Sequence, residues 1–333
     1  MYKSLILLVS FIALSCNNDK NIDKKVNDEI VKVSNFNIII APDLSNRIDP
    51  KIHPKPVHDT IIINNIFEQI PDILKFGGRS AHQKDIFTFD FINAGILNSS
   101  NFEASNFQIN FSQFENNQLE RSDYIRNNLK KDILTAKQNI KAVYDKSIKD
   151  LHGSDIYNYL NSTVNNILVS EEPTIINLDN LNVEISTKNI IVLFTDGYIE
   201  NATEDSGYQF SEATVNKIRK QFISQQSKDL NSFITDNPQF QINRLTNKNL
   251  KDCRIIVVEM VDRSLDSNGV ARKLPTDFDI MRAVWENWFK QSNIAEYEIV
   301  KSQNTYNQVI SQITKFINKQ ASKKSNTLHE EIN

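Results

Sequence analysis

The sequence predicts an α/β fold, a doubly wound, mostly parallel sheet with one antiparallel edge strand and helices on both faces. Two observations carry this expectation. Short β-branched runs, apolar on both faces, recur along the chain, as strands buried in a parallel sheet require. Between them the apolar period changes to that of an amphipathic helix.

Taken in order, the strand runs are Phe36 to Ala41, Ile86 to Ile92, Ile190 to Phe194 and Ile255 to Val261, with a weaker one at Tyr297 to Val300. The segment Asn106 to Phe114 alternates Phe107, Ile109 and Phe111 with polar residues, which marks a half-exposed edge strand antiparallel to its neighbour. A helix follows Asp59, carried by Ile63, Ile66, Phe67, Ile70, Ile73 and Leu74, kinked at Pro71 and closed by Gly77-Gly78. Leu129, Ile133, Ala136, Ile140 and Val143 mark a long helix, and Ile156 to Leu168 a very regular one. Phe278, Met281, Trp285, Trp288 and Phe289 mark another, whose tryptophans at helical spacing are expected in the core. Val309 to Ile317 marks the last. The polar stretches Ser170 to Lys188 and Gln225 to Lys251 read as surface insertions.

Composition narrows the function. In 333 residues, 40% are hydrophobic and 24% charged, so a sizeable core is available. The net charge of −3 provides no field that would attract nucleic acid. With two cysteines, Cys16 and Cys253, stability must rest on the core rather than on disulfides. Cys253 opens an apolar strand and reads as a small buried residue.

Lys3 followed by the apolar run Leu5 to Leu14 reads as a signal peptide, too short to span a bilayer, which takes roughly 20 residues. Ala13-Leu14-Ser15-Cys16 resembles a bacterial lipobox, although the usual pattern places Leu three residues before the cysteine, where Ala13 stands. The resemblance implies lipid attachment at Cys16, with a second acyl chain making the anchor stable. The expected organisation is a signal peptide over 1–16, a polar tether over 17–35, one domain over 36–320 and a polar tail over 321–333. The expected location is the bacterial cell envelope, on its periplasmic or surface face.

Ligands of open α/β sheets sit beyond the carboxyl ends of the strands, where strand order reverses. Three segments belong there: Asp43-Leu44-Ser45-Asn46-Arg47, His152-Gly153-Ser154-Asp155 and Thr195-Asp196-Gly197. In this order and spacing they resemble the metal-ion-dependent adhesion site of the von Willebrand factor A family, whose pattern is Asp-x-Ser-x-Ser, then Thr, then Asp. Asp43, Ser45 and Asp196 match it, Ser154 stands where Thr is usual, and the likeness runs from Phe36 to about Gln320. The resemblance implies a Rossmann-like fold and a Mg²⁺ held by Asp43, Ser45, Ser154 and Asp196, whose open position would take an acidic group of a partner. Arg47 occupies the place of the second serine and offers only donors. It can pair with Asp43 and Asp196 and fill the site without a cation, or swing outward to an acidic partner and leave a depleted metal site.

The function expected from these residues is a protein-binding or scaffolding module recognising a protein or envelope polymer through the strand-end loops. The alternative is a metal-assisted phosphoester hydrolase at the same site, with Asp43 and Asp196 holding Mg²⁺ to activate water, though no general base is evident. A third reading is a structural envelope protein with a dead site. His53, His58, His82 and His152 lack the paired spacing of zinc ligands, and no glycine-rich phosphate loop or Gly-x-Ser-x-Gly elbow occurs.

Overall fold

Strand β1 (Glu29–Pro42) lies at the centre of a seven-stranded sheet. The computed structural model describes residues 29–93, 103–150, 153–178, 181–200 and 209–321; the expected signal peptide with Cys16, the expected tether up to residue 28, His152 and the expected tail from 322 lie outside them. The remaining strands are β2 (Ile86–Phe89), β3 (Gln108–Asn110), β4 (Thr174–Leu178), β5 (Leu181–Phe194), β6 (Arg254–Met260) and β7 (Glu296–Lys301). Their spatial order is β3-β2-β1-β5-β6-β7, with β4 paired to β5 off this path. All neighbours along the path run parallel except β3, the antiparallel edge strand beside β2. The chain leaves β1 towards β2 on one side and later returns to β5 on the other, so strand order reverses between β1 and β5.

Side-chain alternation divides the core between the two faces of the sheet. Ile38 and Ile40 of β1, Ile190, Val192 and Phe194 of β5, and Ile256 and Val258 of β6 point to one face. There they meet helices α1 (Asp59–Glu68), α4 (Leu129–Lys149) and α9 (Tyr306–Lys319). Ile39, Ala41, Ile191, Leu193, Ile255 and Val257 point to the other, under α5 (Ile156–Asn161), α6 (Glu212–Ser224) and α8 (Asp277–Gln291). Trp285 and Trp288 are wholly buried there, as core residues. Each such aliphatic side chain stabilises the fold by about 1.5–3 kcal/mol, which explains how a chain without a disulfide framework holds together.

Several boundaries differ from the sequence reading. The first strand starts at Glu29 rather than Phe36, because residues 29–35 pair in register with 181–187 and extend the two central strands. The stretch Ser170 to Lys188 is therefore no plain insertion: it holds β4, a second antiparallel strand, and the first half of β5. The helix expected over Ile156 to Leu168 stops at Asn161 and gives way to a 3-10 turn at Thr163–Asn166. The hydroxyl of Ser162 donates to the Asn158 carbonyl and side chain, and short polar side chains that compete for backbone groups weaken helices. The following chain is drawn towards the sheet, where Asn37 donates to the Ile167 carbonyl and Asn189 accepts from the Val169 N–H.

The stretch Gln225 to Lys251 carries α7 (Leu230–Asp236), capped by Asp229, with Phe233, Ile234 and Phe240 buried in the second core. The helix after Asp59 does break before Pro71, restarting as the short α2 (Ile70–Ile73). Gly77 and Gly78 then take positive φ and end the segment. An additional helix, α3 (Gln118–Asn127), escaped the periodicity argument because Arg121 is the one residue it buries.

Candidate functional site

The three segments singled out in the sequence converge at the carboxyl ends of β1, β2 and β5. The Asp43 N–H donates to the Phe194 carbonyl at 2.8 Å, and Asp43 forms a parallel bridge with Ile92 just past β2. The Ser154 hydroxyl donates to the Ile92 carbonyl at 2.6 Å, which ties the third segment to the same point. The cap of α5 is the neighbouring Asp155, which accepts from the Asn158 N–H, so Ser154 serves as a tie between loops rather than as the helix cap.

Asp43 is held by its own chain and by β5. One carboxylate oxygen accepts from the Ser45 N–H at 2.9 Å, the other from the Thr195 hydroxyl at 3.1 Å. A 3-10 turn over Asn46–Ile48 folds the chain back and turns Arg47 inward, leaving its side chain 1% exposed. Its Nε stands 3.7 Å from Asp43, and its Nη1 donates to Asp59 at 2.7 Å. Asp59, in the first turn of α1, also accepts from Lys55 at 3.0 Å and from the Tyr144 hydroxyl at 3.4 Å. On the β5 side, Asp196 accepts from the Tyr198 N–H at 3.3 Å and from Arg263 at 2.9 Å, while the Arg263 guanidinium lies over the Tyr198 ring.

Gly197 makes the turn after Asp196 with φ +95, and an added Cβ would stand 2.8 Å from the Met281 sulfur. Gly197→Ala is therefore expected to destabilise the fold by about 2 kcal/mol, read as a shift of the urea midpoint at unchanged m-value. A midpoint equal to that of the wild type would show that the turn tolerates a side chain.

The electrostatics follow from this packing. Burial opposes the charge on Arg47, but Asp59, Asp43 and Asp196 together outweigh it and hold the guanidinium protonated beyond its ordinary range. Burial also works against ionised Asp59, yet Arg47 and Lys55 prevail and hold its carboxyl down to about 2. Asp196 is pushed above the ordinary carboxylate range by burial and by neighbouring Asp43.

A divalent cation does not fit this donor set. Each oxygen of Asp43 and of Asp196 accepts a hydrogen bond, and the Arg47 Nε, a donor, stands 3.7 Å from Asp43. The carboxylates of Asp43, Asp59 and Asp196 are matched by Arg47, Lys55 and Arg263, so an added double charge would find no net attraction. Among the described residues no group of three or more His, Cys, Asp or Glu is placed to hold a metal. The Ser45 side chain caps nothing and is half-buried, and the Ser154 hydroxyl is spent on Ile92.

Asp59, Lys55, Arg263 and Glu259 complete the site and were not singled out in the sequence. Asp59 marks a helix start, and Glu259 is the one acid inside the buried run of β6, a placement that should have drawn notice. Lys55 and Arg263 lie in loops whose course no periodicity fixes. No protein-family model matches the chain, and a search of curated proteins returns no significant match.

Proposed function

We propose that the protein is a lipid-anchored binding module of the cell envelope, built on a von Willebrand factor A-like domain whose adhesion site works without a metal. It recognises a protein or envelope polymer through the loops at the carboxyl ends of the strands. The observation that carries this reading is Arg47, buried at the switch point between β1 and β5 among three carboxylates, in the place where the family pattern would put a metal-ligating serine. The order of the three segments, their convergence on Ile92 and Phe194, and the lipobox-like Ala13 to Cys16 support it further.

The test uses the full chain in its native envelope, tagged at its carboxyl terminus. Crosslinked partners are expected to be the same with chelator and with millimolar Mg²⁺, and to be lost in Arg263→Glu. Fatty-acid labelling is expected in the wild type and absent in Cys16→Ala. Capture that chelator abolishes would restore the metal-dependent site, and phosphoester turnover lost in Asp43→Ala would replace the binding reading with the hydrolase. An unlabelled wild type would remove the lipid anchor.

A further inference from the structure

A β-strand with a free edge offers unpaired N–H and C=O groups to any other strand, and proteins blunt such edges with charges, prolines, bulges or short length. Most edges of this sheet are protected in that way. β3 is 3 residues long, β7 carries Glu296, Glu298 and Lys301, and the part of β1 that precedes its pairing with β2 carries Lys32, set 3.3 Å from Glu184. β4 is the exception. It pairs only with β5, its register there is unbroken, and Thr174-Ile175-Ile176-Asn177-Leu178 contains neither a charge nor a proline. Ile175 and Ile176, at its centre, point to opposite faces and are 62% and 43% exposed. Behind them Val183 and Ile185 of β5 are half-buried, and none of these four residues belongs to either core.

We infer that β4 is a self-association edge: two copies of this chain pair their β4 strands antiparallel about a twofold axis at Ile176, joining the two sheets into one. A twofold axis normal to the sheet keeps each face on its own side, so only residues of equal parity can stand opposite one another. Centring on Ile176 sets Thr174 opposite Leu178 and Ile175 opposite Asn177, which uses the whole of β4. Centring on Ile175 would bring Pro173, which has no N–H, into the ladder, and centring on Asn177 would run past the strand end at Leu178.

The side chains suit this register. Ile176 stands opposite Val183 of β5, so the joined sheet carries one apolar row, Val183 and Ile176 of one copy followed by Ile176 and Val183 of the other. Glu171 and Glu172 precede β4 and therefore fall at opposite ends of the ladder in the two copies, where like charges do not meet. A strand of another protein would match this edge only by coincidence of face and length, whereas a second copy matches it by symmetry. The ladder is about 17 Å long, short of what an interface of roughly 1,200 Å² requires, so the dimer is weak and depends on concentration. The inference stands apart from the strand-end binding reading, because β4 pairs with residues 181–185, in the half of β5 far from Phe194.

Cysteine crosslinking of the full chain in detergent reads the register. Directly opposed residues of an antiparallel pair have Cα atoms about 4.5–5.5 Å apart, within disulfide reach. Ile176→Cys is therefore expected to give a disulfide-linked dimer under mild oxidation. Ile175→Cys and Thr174→Cys are offset along the strand from their equivalents in the second copy and should give at least about fivefold less. A mixture of Ile175→Cys and Asn177→Cys should crosslink more readily than either alone. Ile176→Lys sets like charges opposite each other at the axis and should weaken self-association at least about tenfold in sedimentation velocity, with the urea midpoint unchanged. An equimolar mixture of Ile176→Lys and Ile176→Glu should associate again. Equal crosslinking at positions 174, 175 and 176, or a wild type that stays monomeric at every concentration, would overturn the pairing. Crosslinks from Ile176→Cys to a different protein in the intact envelope, without dimer, would overturn it in favour of a foreign strand.

Discussion

Replacing Arg47 by methionine is expected to destabilise the protein by about 3–5 kcal/mol at pH 7, the cost of removing one partner from a buried ion cluster. The guanidinium touches Asp59 directly, lies 3.7 Å from Asp43 and is attracted by Asp196 as well, so its loss strands acidic charge inside the fold. Arg47→Lys should recover part of the stability and not all of it. A single ammonium keeps the charge but lacks the fork that reaches Asp59 and Asp43 together.

The double variant Arg47→Met, Asp59→Asn should be more stable than the sum of the single effects implies, with a coupling of about 1–3 kcal/mol, because the second change removes the charge that the first exposes. The acid limb should change too. Asp59 is depressed to about 2 in the folded protein, so its contribution of about 2 kcal/mol is complete above its ordinary value of 3.8 and is lost as pH falls through the folded value. In Arg47→Met the folded carboxyl loses the charge that does most to hold it down, so this acid-linked loss should shrink. Urea unfolding from pH 2 to 7 measures both effects; a penalty below about 1 kcal/mol at pH 7 would mean that water, and not Arg47, compensates these carboxylates.

Much of this arrangement was legible in the sequence because strand ends are fixed by the buried runs that precede them. Once Phe36 to Ala41 and Ile190 to Phe194 are read as parallel strands, Asp43 and Asp196 must emerge at the same end of the sheet. The structure brings them to adjacent strands, where the N–H of one segment meets the last carbonyl of the other. Ser154 was placed correctly near this end, but its task was not foreseen: periodicity locates a helix start and is silent on which hydroxyl caps it and which crosses to Ile92.

What periodicity could not supply is the cation set. Lys55 and Arg263 act from loops, where the backbone path depends on the tertiary structure it joins. The polar stretch Ser170 to Lys188 misled for a related reason. Its strands are only half covered, with Ile175 and Ile176 exposed, so they lack the apolar continuity by which the central strands announce themselves.

Glu259 gives the site a pH dependence of opposite sign to that of Asp59. It lies in β6 at a register irregularity between Val257 and Met260, with φ +70 and 1% exposure. One carboxylate oxygen accepts from the Ser302 hydroxyl at 3.1 Å, and the other has no partner. Burial first, and then the charge of nearby Asp59, push its carboxyl up to about 7, against the smaller opposing pull of Lys55 and Arg47.

A carboxyl raised in the folded state keeps its proton while the unfolded chain has already lost it, so stability falls as pH rises from about 4.5 to about 7. The shift corresponds to about 3 kcal/mol once both states are ionised. Glu259→Gln preserves shape and an acceptor for Ser302 while removing the titration. Its stability relative to the wild type is therefore expected to climb across this window and level off above it, gaining about 3 kcal/mol between pH 5 and 8. Paired urea titrations at constant ionic strength measure the difference, and the carboxyl carbon resonance of Glu259 should titrate near 7 in the same samples. Parallel stability curves for the two proteins from pH 5 to 8 would show that Glu259 ionises without penalty, and that its surroundings are wetter than their packing implies.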